Sequence, residues 1–404
     1  MKKDVMFLCQ FFYPEYISSA TLPFDTAQYL SKNGYSVGVL CGYPKEYWEG
    51  KGVPKRENVD GIDIKRINYV QLDRSSVVGR VVNYFSFVVS VFFRMKEVKE
   101  YKVVFVYSNP PLLPLVALMC KKLYGTKIVF ISYDVYPELA IKAKMIKENG
   151  LTAKFFKMLN KRLIKETDKI VAVSEDMKTF FMNTRKVLKE KVCVIPNWYE
   201  DCLEKEYVKT QVLDFIPNDV FVISYLGNLG TCQDADIIFK IADLLREEKI
   251  YIIIAGHGNK MNVAKDMVLK SSLEHVYVLP FLHGDDYETV LKRSDAFWVT
   301  LIPGLEGLCA PSKTYAYLMS GKPVIVSMEK NMEIAQDILS YGAGIVTSDL
   351  SNSEIVKKII EVKTNVQIAE KMKKNARELY ERKYEKSVCL EKYIKLMEEL
   401  KKTI

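Results

Sequence analysis

The residues with the clearest chemistry lie in the loop before a predicted helix, Thr314–Ser320. Two glycines break this loop, which carries the carboxylate of Glu306 and the ammonium of Lys313. Pro311 fits the first turn of the helix, and Ser312 suits its cap or its first turn. Backbone N–H groups and the helix dipole favour an anion at such a helix start. This spacing therefore predicts a site for a diphosphate.

Two further turns in the same half of the chain are rich in glycine. Val220–Leu226 predicts a strand that ends in a GNLG turn, and Ile250–Ala255 predicts another that ends in a GHGNK turn. Glycine lets the backbone approach a phosphate group closely. We therefore expect phosphate contacts at both turns, with Lys313 as the cation. The candidate binding residues of the two turns are Gly227, Asn228, Gly230, Gly256, Gly258 and Lys260.

Two carboxylates form a separate candidate in the first half of the chain. Asp134 and Glu138 follow a predicted strand, Ile128–Ser132. Side chains beyond the carboxyl ends of parallel strands lie where such sheets bind ligands. A carboxylate there could orient a hydroxyl group or accept its proton. It could equally cap the helix that follows.

A third candidate lies in the first strand–loop–helix–strand unit. Val5–Gln10 predicts a strand, and a helix from about Leu22 to Lys32 precedes the next strand, Tyr35–Cys41. Such a unit implies a parallel sheet with a right-handed crossover. The loop after the first strand should face a ligand, or it is a plain surface loop. Its candidate residues are Pro14, Glu15, Ser18 and Ser19.

Alternating strands and helices in both halves predict an α/β protein with two Rossmann-like domains. We place the N-terminal domain at 1–199, the C-terminal domain at 215–383 and the hinge at Glu200–Asn218. A final helix, 384–404, follows. In the N-terminal half, Asp60-Gly61 predicts a short hairpin.

Composition narrows the class of protein. The chain has 404 residues, of which 49% are hydrophobic and 27% charged, so it can bury a substantial core. Eight cysteines without a C-x-x-C pair and three dispersed histidines make a disulfide framework or a metal site unexpected. No uncharged apolar run of 18 residues and no signal-peptide pattern is present, so we expect a cytosolic protein.

The formal net charge of +9 favours an anionic partner. The sequence carries no nucleic-acid-binding motif, so we expect no nucleic acid. Two segments, Val77–Met95 and Ile141–Lys165, combine aromatic residues with basic ones. They predict interfacial helices on an anionic membrane, or helices packed on the sheet with a solvated basic side.

Glu306-Gly307-Leu308-Cys309 and the later YLMSGKPV segment, residues 317–324, resemble the donor-sugar loop of the family 4 glycosyltransferases. That family carries E-G-F-G followed by E-A-M-A-x-G-x-P-V. The intervening Pro311-Ser312-Lys313 is similar to the branch with L-fucosamine-transferase-like enzymes of capsule and O-antigen synthesis. The resemblance covers most of the chain.

The resemblance implies a GT-B fold, in which two Rossmann-like domains face each other across a cleft and the last helix crosses back to the N-terminal domain. It implies a hexosyltransferase-type enzyme. The sugar would move from a nucleotide sugar, expected to be a UDP-sugar, to a membrane-held, lipid-linked glycan acceptor, with retention at the anomeric carbon. Such an enzyme would work in the cytoplasm, peripherally on the inner face of the plasma membrane. No cofactor or metal is expected, because a basic clamp can replace magnesium.

The resemblance also implies roles for residues. Glu306 would hold the hydroxyls of the donor sugar, and Lys313 would stabilise the leaving diphosphate. Residues 134–138 resemble a D-x-W-P-E motif of that family, with Tyr136 in place of the tryptophan. The resemblance implies that Asp134 and Glu138 lie on the acceptor side. Further donor contacts are expected from Leu282, Gly307, Leu308 and Ser312.

Two departures keep rival functions open. Ala316 stands where relatives have a glutamate that holds ribose, and Thr231, Cys232 and Gln233 replace a usual arginine–lysine clamp. One rival is a nucleotide-sugar epimerase of the same fold, which needs no acceptor. The other is a non-catalytic accessory protein that binds a partner or a membrane.

Overall fold

The computed structural model describes residues 2–45, 47–48, 50, 52–73 and 76–402. The chain divides into two compact units. The first consists of Met1–Asn197, Gly307–Ala310 and Cys389–Ile404, and the second of Trp198–Glu306 and Pro311–Val388.

The first unit is built on a sheet that has eight strands in the described part of the chain, in the order β3-β4-β2-β1-β5-β6-β7-β8. Only the β3–β4 pair is antiparallel in this sheet, among the described residues. That pair is the predicted hairpin at Asp60-Gly61. The strands are β1 (Lys3–Leu8), β2 (Val37–Gly42), β3 (Arg56–Val59), β4 (Ile62–Ile67), β5 (Tyr101–Tyr107), β6 (Lys127–Ser132), β7 (Lys169–Ala172) and β8 (Val192–Val194).

Helices connect these strands. β5 is a nearly continuous run of buried apolar residues, as expected for a parallel strand covered on both sides. The helices are α1 (Ser18–Lys32), α2 (Val77–Phe92), α3 (Leu113–Tyr124), α4 (Glu138–Lys142), α5 (Leu151–Glu166) and α6 (Glu175–Asn183).

One helix start differs from the prediction. α1 begins at Ser18 and not near Leu22, so Ser18 and Ser19 form its first turn and do not belong to the preceding loop. Pro23 lies inside the helix and is buried. As the sixth residue of the helix it lies beyond the first turn, so it cannot donate the usual hydrogen bond to the carbonyl oxygen of Ser19.

The second unit has a fully parallel sheet of six strands within the described residues, in the order β11-β10-β9-β12-β13-β14. Its strands are β9 (Phe221–Asn228), β10 (Ile250–His257), β11 (Val276–Leu279), β12 (Ala296–Thr300), β13 (Val324–Ser327) and β14 (Gly344–Val346). Its helices are α7 (Asp236–Leu244), α8 (Met261–Lys270), α9 (Gly284–Arg293), α10 (Lys313–Met319), α11 (Glu333–Tyr341), α12 (Asn352–Thr364) and α13 (Val366–Leu379).

The core of the second unit fixes the start of α10. Trp298 of β12 is fully buried and donates its indole N–H to Ser327 Oγ at 2.9 Å. Tyr317 of α10 stacks on Phe297 with ring centroids 4.2 Å apart. The Tyr317 hydroxyl accepts from Leu226 N at 2.8 Å and donates to Leu226 O at 3.0 Å. These contacts attach α10 to the end of β9.

The last helix, α14 (Lys386–Lys401), follows a π-helical turn, Tyr380–Tyr384. From Cys389 onward it packs inside the first unit, where Tyr393 meets Phe105 at 6.0 Å between ring centroids. The predicted return of the last helix to the N-terminal domain is confirmed. The helix begins at Lys386, two residues later than predicted, and the last two residues of the predicted segment 384–404 lie outside the described residues.

Candidate functional site

Lys313 is the first residue of α10 and the centre of the candidate site. Its Nζ lies 3.7 Å from the centre of the Tyr225 ring. The ammonium donates to the Tyr225 hydroxyl and, at 3.0 Å, to the carbonyl oxygen of Asn228. Within the described chain no carboxylate lies within ion-pair distance of it. Burial lowers the pKa of Lys313 well below its ordinary value. An anion brought beside this amine would favour its charged form.

The two predicted glycine turns lie side by side. β9 and β10 are paired so that Gly227 is opposite Gly256 and Asn228 is opposite His257. A Cβ on Gly256 would collide with the carbonyl oxygen of Gly227, and one on Gly258 would come within 2.5 Å of Leu229 O. The turns therefore pack backbone against backbone, which only glycine permits.

The first glycine turn also touches the lysine. A Cβ on Gly227 would lie 3.6 Å from Lys313 Cε and 4.0 Å from its Nζ, and Gly227 has φ +114°. Leu229 N donates to His257 O at 2.7 Å, which ties the two turns together. The structure thus brings Gly227, Asn228, Gly256 and Lys313 into one cluster.

Lys260 extends this cluster with a second cation. Its ammonium donates to the carbonyl oxygen of Gln233, and its backbone N–H donates to Leu229 O at 3.1 Å. Gln233 in turn accepts from Gly230 N at 2.8 Å through its side-chain oxygen. Lys260 has no carboxylate partner among the described residues. Lys260 and Lys313 therefore both contact this pair of turns.

His257 and Leu282 lie at the edge of the cluster. Burial lowers the pKa of His257, and the nearby charge of Lys313 lowers it further. The imidazole is therefore neutral at pH 7, and its ring packs against Phe281 at 5.1 Å between centroids. Leu282, a predicted donor contact, is buried beside Phe281.

Glu306 and Ser312 are exposed and lie in the loop before α10. Glu306 accepts from Asn331 Nδ2 at 3.3 Å. No hydrogen bond or ion pair joins Glu306 to Lys313 in the part of the chain that the structure describes. Ser312 precedes the helix without capping it by its side chain, and Pro311 lies before the helix and not in its first turn. The prediction for Pro311 is thus wrong by two residues.

Gly307 and Leu308, predicted as donor contacts, pack inside the first unit. The N–H of Gly307 donates to Asp176 Oδ2 at 2.8 Å, and a Cβ on Gly307 would lie 2.8 Å from Phe180 Cβ. The carbonyl oxygen of Leu308 accepts from Val135 N at 2.8 Å, and the leucine side chain is buried. The Gly307 N–H is therefore already bonded within the protein.

Asp134 lies just beyond β6, in an isolated bridge with Cys309. Its backbone N–H donates to Ser108 Oγ at 3.2 Å. Burial raises the pKa of its carboxyl group to about 6, and no described residue pairs with that group. It lines a cavity of ≈ 20 Å³, enough for a water molecule. A carboxyl group with this pKa can take and give a proton near neutral pH.

Glu138 is placed differently from Asp134. Its carboxylate forms an ion pair with Arg185, which also donates to the carbonyl oxygen of Tyr136 at 3.2 Å. Asn160 Nδ2 donates to the same carbonyl oxygen. Glu138 therefore fixes the segment next to Asp134, and no side-chain cap holds the start of α4.

The third candidate loop is partly buried. Glu15 is buried, Ser18 is exposed, and Pro14 and Ser19 are partly exposed. The guanidinium of buried Arg66 holds this loop by donating to Tyr13 O at 2.9 Å. Ser18 and Ser19 therefore reach solvent from the first turn of α1, while Glu15 lies beneath the loop.

Sequence reasoning missed several polar groups at these sites. Tyr225 contacts the Lys313 ammonium through its ring and its hydroxyl. It lies within an apolar run that the sequence pattern identifies only as a strand. Asn331 holds Glu306 from 25 residues away. Gln10 ends the first predicted strand, and both polar atoms of its buried side chain lack hydrogen-bond partners among the described residues. A polar residue at the end of an apolar strand is the signal that could have found Gln10, whereas no local signal marks Tyr225.

Ala316 is buried inside α10 with 1% exposure. The ribose contact that relatives make through a glutamate therefore has no counterpart at this position. Among the described residues no group of three or more His, Cys, Asp or Glu side chains is placed to hold a metal ion. A helix long and apolar enough to cross a membrane is not found among the described residues.

Two family models match the chain. Residues 20–201 match Glycosyltransferase Family 4, and residues 214–379 match Glycosyl transferases group 1. Together they span most of the chain, with one model in each half.

Two curated relatives are similar to the chain. The probable glycosyltransferase WbjE of Pseudomonas aeruginosa is 27% identical over 59% of this chain and 60% of its own length. The putative colanic acid biosynthesis glycosyl transferase WcaI of Escherichia coli is 24% identical over 65% of this chain and 66% of its own length. The match thus spans less than two thirds of either relative.

Solved structures share the fold over nearly the whole chain. Sucrose-phosphate synthase of Thermosynechococcus elongatus superposes with a TM-score of 0.72 at 12% identity and covers 100% of both chains. Anabaena HepE in complex with UDP and glucose gives 0.71 at 13% identity, covering 98% of this chain and 100% of HepE. WaaG, a glycosyltransferase involved in lipopolysaccharide biosynthesis, gives 0.70 at 14% identity over 97% of this chain and 99% of WaaG.

Proposed function

We propose that the chain, which matches models of Glycosyltransferase Family 4 and Glycosyl transferases group 1 and has the GT-B fold, transfers a sugar from a nucleotide-sugar donor to a glycan acceptor. The observation that carries this proposal is the ammonium of Lys313. It is desolvated, lacks a carboxylate partner among the described residues, and lies against Tyr225 beside two glycine turns. A buried cation without a partner is costly unless an anion joins it.

The diphosphate of the donor supplies that anion. In the transfer, the bond between the anomeric carbon and the diphosphate oxygen breaks, and its electron pair leaves with the diphosphate. The acceptor hydroxyl oxygen forms the new bond to the same carbon. Lys313, together with Lys260 of the second glycine turn, stabilises the charge that develops on the departing oxygen. α10 has only seven residues, so its dipole adds less than the two ammonium groups.

UDP is the nucleotide we propose. It is bound by HepE, which shares the fold of this chain. Glu306, exposed and oriented by Asn331, is the proposed contact to the donor sugar's hydroxyls. Retention at the anomeric carbon and an L-fucosamine-like donor are proposed from the resemblance of the loop to that branch of the family.

Asp134 is the proposed residue on the acceptor side. Its carboxyl group has a raised pKa and no partner among the described residues, so it can orient the attacking hydroxyl or accept its proton. The departing diphosphate is the alternative proton acceptor. Glu138 pairs with Arg185, which holds the Tyr136 carbonyl oxygen two residues from Asp134, and is the proposed positioning residue.

The proposed acceptor is a lipid-linked glycan of a surface polysaccharide, at the cytoplasmic face of the membrane. Support comes from the names of similar proteins, which refer to colanic acid and lipopolysaccharide biosynthesis. The exposed serines at the start of α1 are proposed to contact this acceptor.

A panel of nucleotide sugars tests the donor, because a ligand that binds only the folded state raises the melting temperature. We expect UDP-sugars to stabilise the wild type and the Lys240→Ala variant, whose lysine is exposed on α7, but not Lys313→Ala. The next step is to follow donor consumption with and without a lipid-linked acceptor. If the donor is consumed only when the acceptor is present, the protein is a transferase. If the donor is consumed without an acceptor and its sugar is epimerised, the protein is an epimerase. Binding without any turnover assigns the accessory protein.

A further inference from the structure

The side of α2 that faces away from the sheet is apolar along its whole length. α2 buries Asn83, Phe87 and Val91, which recur at four-residue spacing on its inner side. Its outer side consists of Val78, Val81, Val82, Phe85, Val89, Phe92 and, just after the helix, Phe93. The most exposed of these residues are between 59% and 75% exposed. A surface helix of a soluble protein ordinarily has a polar outer side, so this surface is suited to an apolar environment.

α5 combines an apolar stripe with a row of cations. Its outer side carries Leu151, Phe155 and Met158, which are 47–86% exposed and spaced for one side of a helix. Beside them the helix has five basic residues and no acidic residue before its last position. These cations, which have no ion-pair partner among the described residues, are Lys154, Lys157, Lys161, Arg162 and Lys165.

α3 connects the two helices into one surface. It packs against α2 on one side and against α5 on the other. Met119 and Leu123, both exposed, continue the apolar surface across α3. The loop before α5 adds exposed Met145 between Lys144 and Lys147. We call this surface of α2, α3, α5 and that loop the docking surface.

We propose that the docking surface seats the first unit on an anionic lipid bilayer, with α2 and α5 lying in the plane of the headgroups. The 16 residues of each helix span about 24 Å, suited to lying along a surface. The apolar stripes would enter the acyl boundary, and the cations would meet lipid phosphates. This inference goes beyond the proposed function and does not depend on it.

Charge decides between a bilayer and a protein partner. A protein partner for an apolar face usually brings few charges to the centre of the interface. Here the cations lie directly beside the apolar residues, with Glu148 as the single acidic residue from Lys144 to Lys165. Aromatic and aliphatic residues flanked by lysines are typical of interfacial helices. A second copy of the chain would bring the same positive charge and be repelled.

Vesicle sedimentation tests the proposal, with phosphatidylcholine vesicles made with and without phosphatidylglycerol. We expect the wild type to bind the anionic vesicles, and high salt to weaken binding. The double variant Val81→Ser/Phe85→Ser should lose at least about ten-fold in binding to them. Its matched control is Val263→Ser/Leu269→Ser, two exposed apolar residues of α8.

A charge-reversal variant tests the contribution of the basic residues of the docking surface separately from that of its apolar residues. Lys154→Glu/Lys161→Glu should lose roughly 30-fold in affinity for anionic vesicles, since each cation contributes about 1 kcal/mol there. Lys357→Glu/Lys358→Glu on α12 makes the same change in net charge elsewhere and should bind as the wild type does.

The proposal is wrong if the wild type fails to sediment with anionic vesicles or if both test variants bind as their controls do. A wild type that dimerises in solution, and that Phe85→Ser converts to monomers, would assign the surface to a second copy instead. UDP stabilisation measured on the same variants keeps this test apart from the proposed function, because none of these residues touches the Lys313 cluster.

Discussion

Lys313 and Lys383 belong to the same unit, yet their surroundings shift their pKa values in opposite directions. Burial opposes the charge of both. Lys383 has the carboxylates of Glu333 and Asp337 within 2.6 Å, and their hydrogen bonds outweigh burial and raise its pKa. Lys313 has only a tyrosine and a carbonyl oxygen, so burial lowers its pKa. A structural ion carries its own counterion, whereas Lys313 lacks the counterion that a substrate can supply.

The same contrast recurs in the first unit. Glu138 is neutralised by Arg185, while Asp134, four residues earlier, has no described partner and a raised pKa. Ionisable groups that lie near the carboxyl ends of parallel strands and lack an ion-pair partner among the described residues are therefore the best functional candidates in both units.

Lys313→Met should produce the largest effect. We expect the rate of sugar transfer to fall by about 10²–10³-fold, as on loss of one group that stabilises a leaving oxygen. Without donor, the variant should be at least as stable as the wild type, because a desolvated charge has been removed. Steady-state rates and thermal unfolding test both parts. A clear loss of stability would mean that Lys313 is a structural lysine.

Asp134→Asn should come next, with an effect on stability that depends on pH. The folded pKa of about 6 lies above the unfolded value near 3.8, so the wild type loses stability as the pH rises from about 4 through 6. The variant should match the wild type at pH 4 and exceed it by roughly 2–3 kcal/mol at pH 7. Denaturant unfolding at both pH values measures this difference. Glu138→Gln removes the carboxylate partner of Arg185 and should lower the free energy of unfolding at pH 7. If Asp134→Asn and Glu138→Gln change this free energy equally, then pairing does not distinguish Asp134 from Glu138.

Lys383→Met tests the lysine that has carboxylate partners, in contrast to Lys313. Leaving Glu333 and Asp337 without their shared cation should lower the free energy of unfolding by about 2 kcal/mol. Chemical denaturation measures the loss. Lys330→Met, which breaks an exposed pair with Asp349, should cost less than about 1 kcal/mol. If Lys383→Met proves as mild as this control, then pairing does not distinguish Lys383 from Lys313.

Tyr225→Phe should have the smallest effect. It removes the hydroxyl that accepts from Lys313 but keeps the ring beneath the ammonium. We expect donor affinity to fall about five-fold, near 1 kcal/mol. Tyr380→Phe is the control, because it loses the hydrogen bond to Tyr199 O, away from the Lys313 cluster, and should lower stability without changing donor affinity. Titration with UDP measures the donor affinity of both variants. A UDP affinity of Tyr225→Phe equal to that of the wild type would show that the Tyr225 hydroxyl does not position Lys313.

The sequence predicted the parts of the fold that depend on neighbouring residues. Apolar runs bounded by glycine turns identified the core strands, and Asp60-Gly61 adopts the two positive φ values that such a hairpin turn needs. The start of α1 was missed because Ser18 and Ser19 resemble loop residues.

The sequence identified the main residues of the candidate site but not the residues that contact them. Lys313 and both glycine turns could be identified, since each is unusual in its local pattern. The partners of these groups come from distant segments: Tyr225 lies 88 residues before Lys313, and Arg185 lies 47 residues after Glu138. Nothing in a local pattern encodes such pairs. The pattern therefore could not tell that Glu138 is paired and that Asp134 is not.

Calorimetric titration of UDP and of uridine into the wild type and Lys313→Met tests the central claim most directly. The two ligands differ only in the diphosphate. We predict that the wild type prefers UDP and that the variant loses roughly 10- to 100-fold of that preference, with its affinity for uridine unchanged. An unchanged preference for UDP in Lys313→Met would contradict the account, because the diphosphate would then be held elsewhere.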